Sequence, residues 1–172
     1  MKERIAVFID GGNFFLQKDE LRWWVDPKRL LEWIGLKGEV TEAIYYAGYD
    51  PADTKQMGYF KALSHMGYSL VTKEVKFFEK DGQQVKKANM DCDIVADMFC
   101  MKDRYDTLYL VSGDTDFASS LERLRTLGKG FKVISSGYFI ASEIRETAGA
   151  HLIDFQDIRE SVEKSQKIVA VA

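Results

Sequence analysis

Two aspartates stand one residue apart in the stretch VSGDTDF, residues 111–117, where Asp114 and Asp116 follow a β-prone run. Another, Asp10, ends the apolar run at residues 5–9 and is followed at once by Gly-Gly-Asn. A further set, Asp91, Asp93 and Asp97, lies in NMDCDIVADM, residues 89–98. Carboxylates gathered at one place repel, and two like charges about 4 Å apart cost roughly 4 kcal/mol at an effective dielectric near 20. A cluster of Asp10, Asp91, Asp114 and Asp116 would therefore take up protons or bind a cation. Ligands that are all oxygen select hard ions such as Mg2+ or Mn2+. A pair of such ions about 3.5–4 Å apart is the usual clamp for in-line phosphoryl transfer. Each acid also has a plain structural reading. Asp114 could cap a helix, with Thr115 and Asp116 in its first turn, and Asp10 before two glycines could be turn chemistry.

The elements around these acids decide whether they can meet. Residues 5–9 are continuously apolar, as in a strand buried on both faces. Further strands are expected at 40–47, 68–78, 107–112, 131–135 and 151–155. A turn signal at Lys80-Asp81-Gly82-Gln83 marks a hairpin. Helices are expected at 13–23, at 28–34 behind the Asp26-Pro27 cap, and from Asp50-Pro51 to Gly67. More follow at 89–102, 116–127 and 142–148, with a last helix and a loose tail from Gln156 onward. Alternating β and α units of this length predict an α/β fold, a mostly parallel sheet with helices on both faces. In such sheets ligands bind outside the carboxyl ends of the strands, where the strand order reverses. Asp10 and the Asp114 pair fall at strand ends of that kind. Asp91 heads the helical stripe of Ile94, Val95 and Met98 and should sit at its upper edge, whereas Asp93 and Asp97 point elsewhere.

Composition narrows the classes. The 172 residues fit one domain with a real core, 46% of them being hydrophobic. A net charge of −3 argues against a generally basic nucleic-acid binder, so a bound polyanion would need local lysines or a metal. Cys92 and Cys100 form no metal-ligand pattern and read as reduced thiols of a cytoplasmic protein. No signal peptide and no membrane span is expected. Phosphatases of the haloacid dehalogenase type need an acid two places after their nucleophile, and Gly12 stands there instead. No Walker loop or dinucleotide fingerprint occurs, and His65 and His151 read as structural.

The segments FIDGGN (8–13), NMDCDIVADM and LVSGDTDF (110–117) together resemble the NYN domain family, the LabA-like relatives of PIN-domain nucleases. The likeness covers roughly residues 4–155 and includes the step LGKGFKVI at 127–134. It implies a PIN-like three-layer sandwich over residues 1–155, followed by a C-terminal helix and tail at 156–172. It also implies a metal-dependent ribonuclease using one or two Mg2+ or Mn2+ ions, with acidic ligands at Asp10, Asp91, Asp114 and Asp116. Asn13 matches the asparagine that the family places after its first acid, to orient a ligand or meet the substrate. Family members often carry Asp where Gly12 stands, and that departure bears on the surroundings of the ligands.

On this reading Asp10 and Asp114 are the central ligands, Ser112 and Thr115 offer phosphate contacts, and Asp93 and Asp97 lie behind the ligands or face solvent. Lysines precede the acidic helix: Lys86 and Lys87 follow Lys73, Lys76 and Lys80, and with Phe77 and Phe78 they could line RNA. The alternative is that they blunt a sheet edge. Trp23, Trp24, Tyr59 and Phe60 read as core or as the surface of a homodimer. A separate protein could deliver the RNA. The competing function is a catalytically weak RNA- or protein-binding module on the same fold. A structure-specific DNA nuclease fits least, since no helical arch is evident.

Overall fold

Strand β1 (Arg4–Asp10) is apolar from Ile5 to Ile9, and every one of these residues is fully buried. A strand can be apolar on both faces only inside a sheet that is covered on both sides. The computed structural model describes residues 2–80 and 83–165, with side chains for all of these except 77–80 and 83–87. β1 pairs in parallel with β2 (Glu39–Tyr49) on one flank and with β6 (Thr107–Val111) on the other. Outside them lie β3 (Ser69–Glu74), β7 (Gly130–Ser135) and β8 (Leu152–Asp154), giving the order β3-β2-β1-β6-β7-β8, all parallel.

Side chains alternate across this sheet and build two cores. Ala6 and Phe8 of β1, with Leu108 and Leu110 of β6, pack beneath α4 (Asp91–Cys100), α5 (Ala118–Thr126) and α6 (Ser142–Ala148). Phe8 meets the Tyr46 ring edge to face at 5.5 Å, an arrangement worth about 0.5–1.5 kcal/mol beyond the buried area. On the other face Ile5, Val7 and Ile9 pack with α1 (Gly11–Leu21), α2 (Pro27–Gly35), α3 (Thr54–His65) and the short α7 (Arg159–Val162). The steps β1 to β2 to β3 run one way with their helices on the second face. The steps β6 to β7 to β8 run the opposite way with helices on the first face. Reversing both direction and face keeps one hand throughout, as parallel crossovers require. The reversal falls between β1 and β6, so their carboxyl ends flank the switch point.

The expected strand at 68–78 is broken at Val75. Its N–H donates to the carbonyl of Tyr49, the last residue of β2, so β3 runs out of partner there. The chain then enters β4 (Lys76–Lys80), which pairs antiparallel with β5 (Gln83–Lys87) as a separate ribbon. That pairing matches the hairpin signal; Asp81 and Gly82 lie outside the described residues.

Three helix starts also move. Asp50-Pro51 makes a turn, and Asp53 is the cap of α3, its carboxylate accepting from the N–H groups of Lys55 and Gln56. The first helix begins at Gly11 because Asp10 itself caps it. At the other site motif a 3-10 turn at Thr115–Phe117 precedes α5.

Beyond Phe155 the chain docks on α2. Arg29 donates to the carbonyls of Glu163 (2.6 Å) and Glu160 (2.8 Å), and Lys164 N–H donates to Trp24 O at 2.7 Å. The rest of the expected tail, 166–172, lies outside the described residues. Among the described residues no helix is long and apolar enough to cross a membrane.

Candidate active site at the switch point

Register brings the first two site residues together. Ile9 of β1 is level with Val111 of β6, so the next residues, Asp10 and Ser112, emerge side by side. They are 102 positions apart in sequence, and the Ser112 hydroxyl donates to Asp10 Oδ2 at 3.1 Å. The other carboxylate oxygen, Oδ1, accepts from Asn13 N–H at 3.2 Å, which is the N-cap of α1. Asp10 is only 8% exposed. Burial pushes its carboxyl above the usual range, the Asn13 and Ser112 hydrogen bonds pull it back, and the charges of Asp91 and Asp114 push it up again.

The loop after β6 is fixed from below. Ser112 is fully buried, and its Oγ also accepts from Asp114 N–H at 3.2 Å. Its hydroxyl thus bonds both Asp10 and the loop. Gly113 N–H donates to Asn13 Oδ1 at 2.9 Å. A Cβ on Gly113 would lie 2.8 Å from Ser135 Oγ and 3.1 Å from Ile140 Cα, so the close approach of this loop to the end of β7 needs glycine. Asp114 Oδ1 accepts from Asp116 N–H at 3.0 Å, the capping role open to it from sequence. Asp114 and Thr115 are half-buried, and Asp116 is exposed one step further on.

On α4, Asp91 is the first residue and half-buried, its N–H held by Asn89 Oδ1 at 2.8 Å. Its helical neighbours are engaged elsewhere. Asp93 is ion-paired with Lys73 of β3, and Asp97 accepts from the Tyr46 hydroxyl at 3.0 Å. Lys76 is exposed at the start of β4, whereas Lys80, Lys86 and Lys87, with Phe77 and Phe78, have side chains outside the described set. Of the four aromatics set aside as core or dimer surface, Trp23 and Phe60 are buried, and Trp24 and Tyr59 are exposed.

Gln17 carries part of this architecture and was not among the sequence candidates. It is 1% exposed, one turn after Asn13, and links that residue to the end of β7. A polar residue four places from a site asparagine on one helix face was the available signal.

Asp10, Asp91 and Asp114 offer oxygen donors alone, and their mutual repulsion at a buried carboxylate suits a hard divalent cation. Among the described residues, however, no three acidic, histidine or cysteine side chains already stand close enough to hold an ion. The carboxylates frame a site without closing on it.

Residues 4–156 match the protein family described as the NYN domain. Over 170 residues the chain is 38% identical to Low amplitude and bright protein LabA of Synechococcus elongatus, covering 95% of this chain and 90% of that one. A crystal structure of a protein of unknown function from Vibrio parahaemolyticus shares the fold. It has a TM-score of 0.79 and 24% identity and covers 95% of this chain and 97% of its own.

Proposed function

The chain belongs to the NYN domain family, whose members are typically nucleases, and on that premise we propose that it is a metal-dependent ribonuclease of the cytoplasm, cutting within RNA chains. One observation carries the reading: a buried aspartate, Asp10, at the switch point, with both carboxylate oxygens held by hydrogen bonds and the charges of Asp91 and Asp114 acting on it. A fold has no structural need to bear that repulsion, whereas a site for cation and phosphate does. Asp10, Asp91 and Asp114 would hold Mg2+ or Mn2+, with Asp116 completing the set or serving a second ion. Such an ion screens the phosphate and makes water acidic enough to attack.

The chain's own residues do the rest. Ser112 and the Asn13 N–H fix both oxygens of Asp10, so that the carboxylate needs no reorganisation when the ion arrives. Gln17 and Gly113 hold the Asn13 amide in place. Thr115, half-buried beside Asp114, is the hydroxyl left to meet a phosphate oxygen.

A catalytically weak RNA- or protein-binding module is the second reading. It is favoured by the open spacing of the acids among the described residues. Cleavage of labelled single-stranded and hairpin RNA with Mn2+, Mg2+ or EDTA, for wild type beside Asp114→Asn, separates the two. Metal-dependent cutting that the substitution abolishes supports the nuclease. An inert wild type that binds RNA supports the module.

A further inference from the structure

Gly11 and Gly12, the residues that follow Asp10, also form one wall of a cleft of about 960 Å³ between α1 and α3. Its lining is aromatic. Phe15 and Trp24 are 52% and 54% exposed, with ring centroids 6.1 Å apart in an edge arrangement. Across the cleft Tyr59 meets Tyr45 edge to face, also at 6.1 Å, and Tyr45 lies against Gly11. The Lys18 ammonium sits 3.9 Å from the Phe15 centroid and 5.1 Å from that of Trp24. Lys55 lines the same space. The two carboxylates of the lining, Asp26 and Asp53, are both used as helix N-caps.

Large aromatic rings left half in water beside two ammonium groups, of which Lys18 also lies 3.9 Å from the Asp19 carboxylate, suit a ligand with a flat apolar face and negative charge. A nucleotide in a single strand has both, and aromatic platforms with lysines are how unpaired bases are held. The volume is that of a small-molecule site and admits a base with its ribose. The shared wall at Gly11 and Gly12 sets the cleft against the acidic centre, so one strand could serve both. A base inside a duplex is stacked and paired and cannot enter such a cleft.

We propose that this cleft is a nucleobase subsite, receiving an unpaired base of the RNA strand whose phosphate lies at Asp10. The assignment rests on the ribonuclease reading, and it makes single-stranded RNA the substrate form.

The test is the binding of a labelled single-stranded oligoribonucleotide in EDTA, followed by anisotropy and tryptophan fluorescence, beside its duplex of equal length. Trp24→Ala and Phe15→Ala are the variants, because both side chains are half exposed and their loss should spare the fold. Trp24→Ala should weaken single-strand binding by about five- to a hundredfold and leave the weaker duplex binding alone. If both variants bind and cut as wild type does, the subsite falls and the ribonuclease stands. If wild type neither binds in EDTA nor cuts with metal, both readings fall together. Should sedimentation show a homodimer that Trp24→Ala dissociates, with RNA binding unaltered, the cleft belongs to a second copy and the proposal is overturned.

Discussion

Gln17 Nε2 donates to Asn13 Oδ1 at 2.8 Å, and that one contact joins the ends of three strands. Asn13 reaches β1 through its N–H to Asp10 and β6 through Gly113 N–H. Gln17 Oε1 accepts from Ser136 N–H at 2.7 Å and from Ser135 Oγ at 3.3 Å at the end of β7. Replacing Gln17 by Ala strands the buried Ser136 N–H without a partner. A loss of about 1–3 kcal/mol in urea unfolding is expected, with a fall in any metal affinity, because Asn13 is no longer braced. Unchanged unfolding would mean that water takes over these bonds.

Asp10→Asn separates charge from shape. The amide keeps an oxygen for Asn13 N–H and presents its NH2 to Ser112 Oγ, but removes the buried negative charge. In EDTA at neutral pH the variant should be the more stable by about 1 kcal/mol, roughly 2–4 °C in melting temperature for a chain of this size. It should lose any stabilisation by Mg2+ or Mn2+. Calorimetry with and without metal reads both.

The same residue gives a pH dependence. The folded carboxyl is raised above the usual 3.8, so the folded state holds its proton more tightly than the unfolded chain does. That contribution is fully present below 3.8 and is lost as pH rises through the raised value. Without metal, wild type and Asp10→Asn should therefore differ least in acid and progressively more as pH climbs, then level off. A gap that is flat with pH would place the carboxylate in ordinary water.

Adjacent glycines should behave oppositely. A Cβ on Gly11 would fall 2.4 Å from the Tyr45 ring and 2.6 Å from the Tyr46 carbonyl, and the backbone oxygen cannot yield. Gly11→Ala is expected to cost about 1–3 kcal/mol. The nearest atom to a Cβ on Gly12 is Asp10 Oδ1 at 3.6 Å, so Gly12→Ala should be neutral or stabilising by about 0.5–1 kcal/mol. Gly12→Asp should fold as well, with metal affinity increased by the added carboxylate. Thermal melts of the three variants decide the matter.

Lys73→Ala and Lys76→Ala ask whether the edge of the sheet touches RNA. Both side chains are exposed, and the Lys73–Asp93 pair is a surface ion pair, so stability should change by less than about 1 kcal/mol. If phosphates lie there, each change lowers the slope of log affinity against log salt by about 0.7. Equal slopes would leave these lysines the task of blunting the β3 edge.

The sheet and its two covered faces were readable because β1 is apolar without a break, and the candidate site is drawn from acids that the sequence places at strand ends. What escaped depends on partners distant in sequence. Residues 68–78 look like one strand locally, yet β3 ends where β2 can no longer pair with it, which is settled by Tyr49. Asp50 and Asp53 give the same capping signal, and only the second heads the helix, because the Asp50 carboxylate is spent on Ala52 N–H within the turn. Gln17 looks like a surface residue until β7 arrives beneath it. Ser112 reads as a candidate for phosphate, and only the pairing of β1 with β6 reveals it buried with its hydroxyl on Asp10.

The separation of Asp10 and Ser112 also has a meaning for a chain being made. Synthesis delivers Asp10 first and its partner 102 positions later. Until β6 emerges and pairs with β1, Asp10 has no Ser112 hydroxyl to orient it and no Asp114 beside it. A growing polypeptide that has not yet exposed β6 thus holds Asp10 without its centre. For a chain that we propose cuts RNA, the message being translated is out of danger until the sheet has closed.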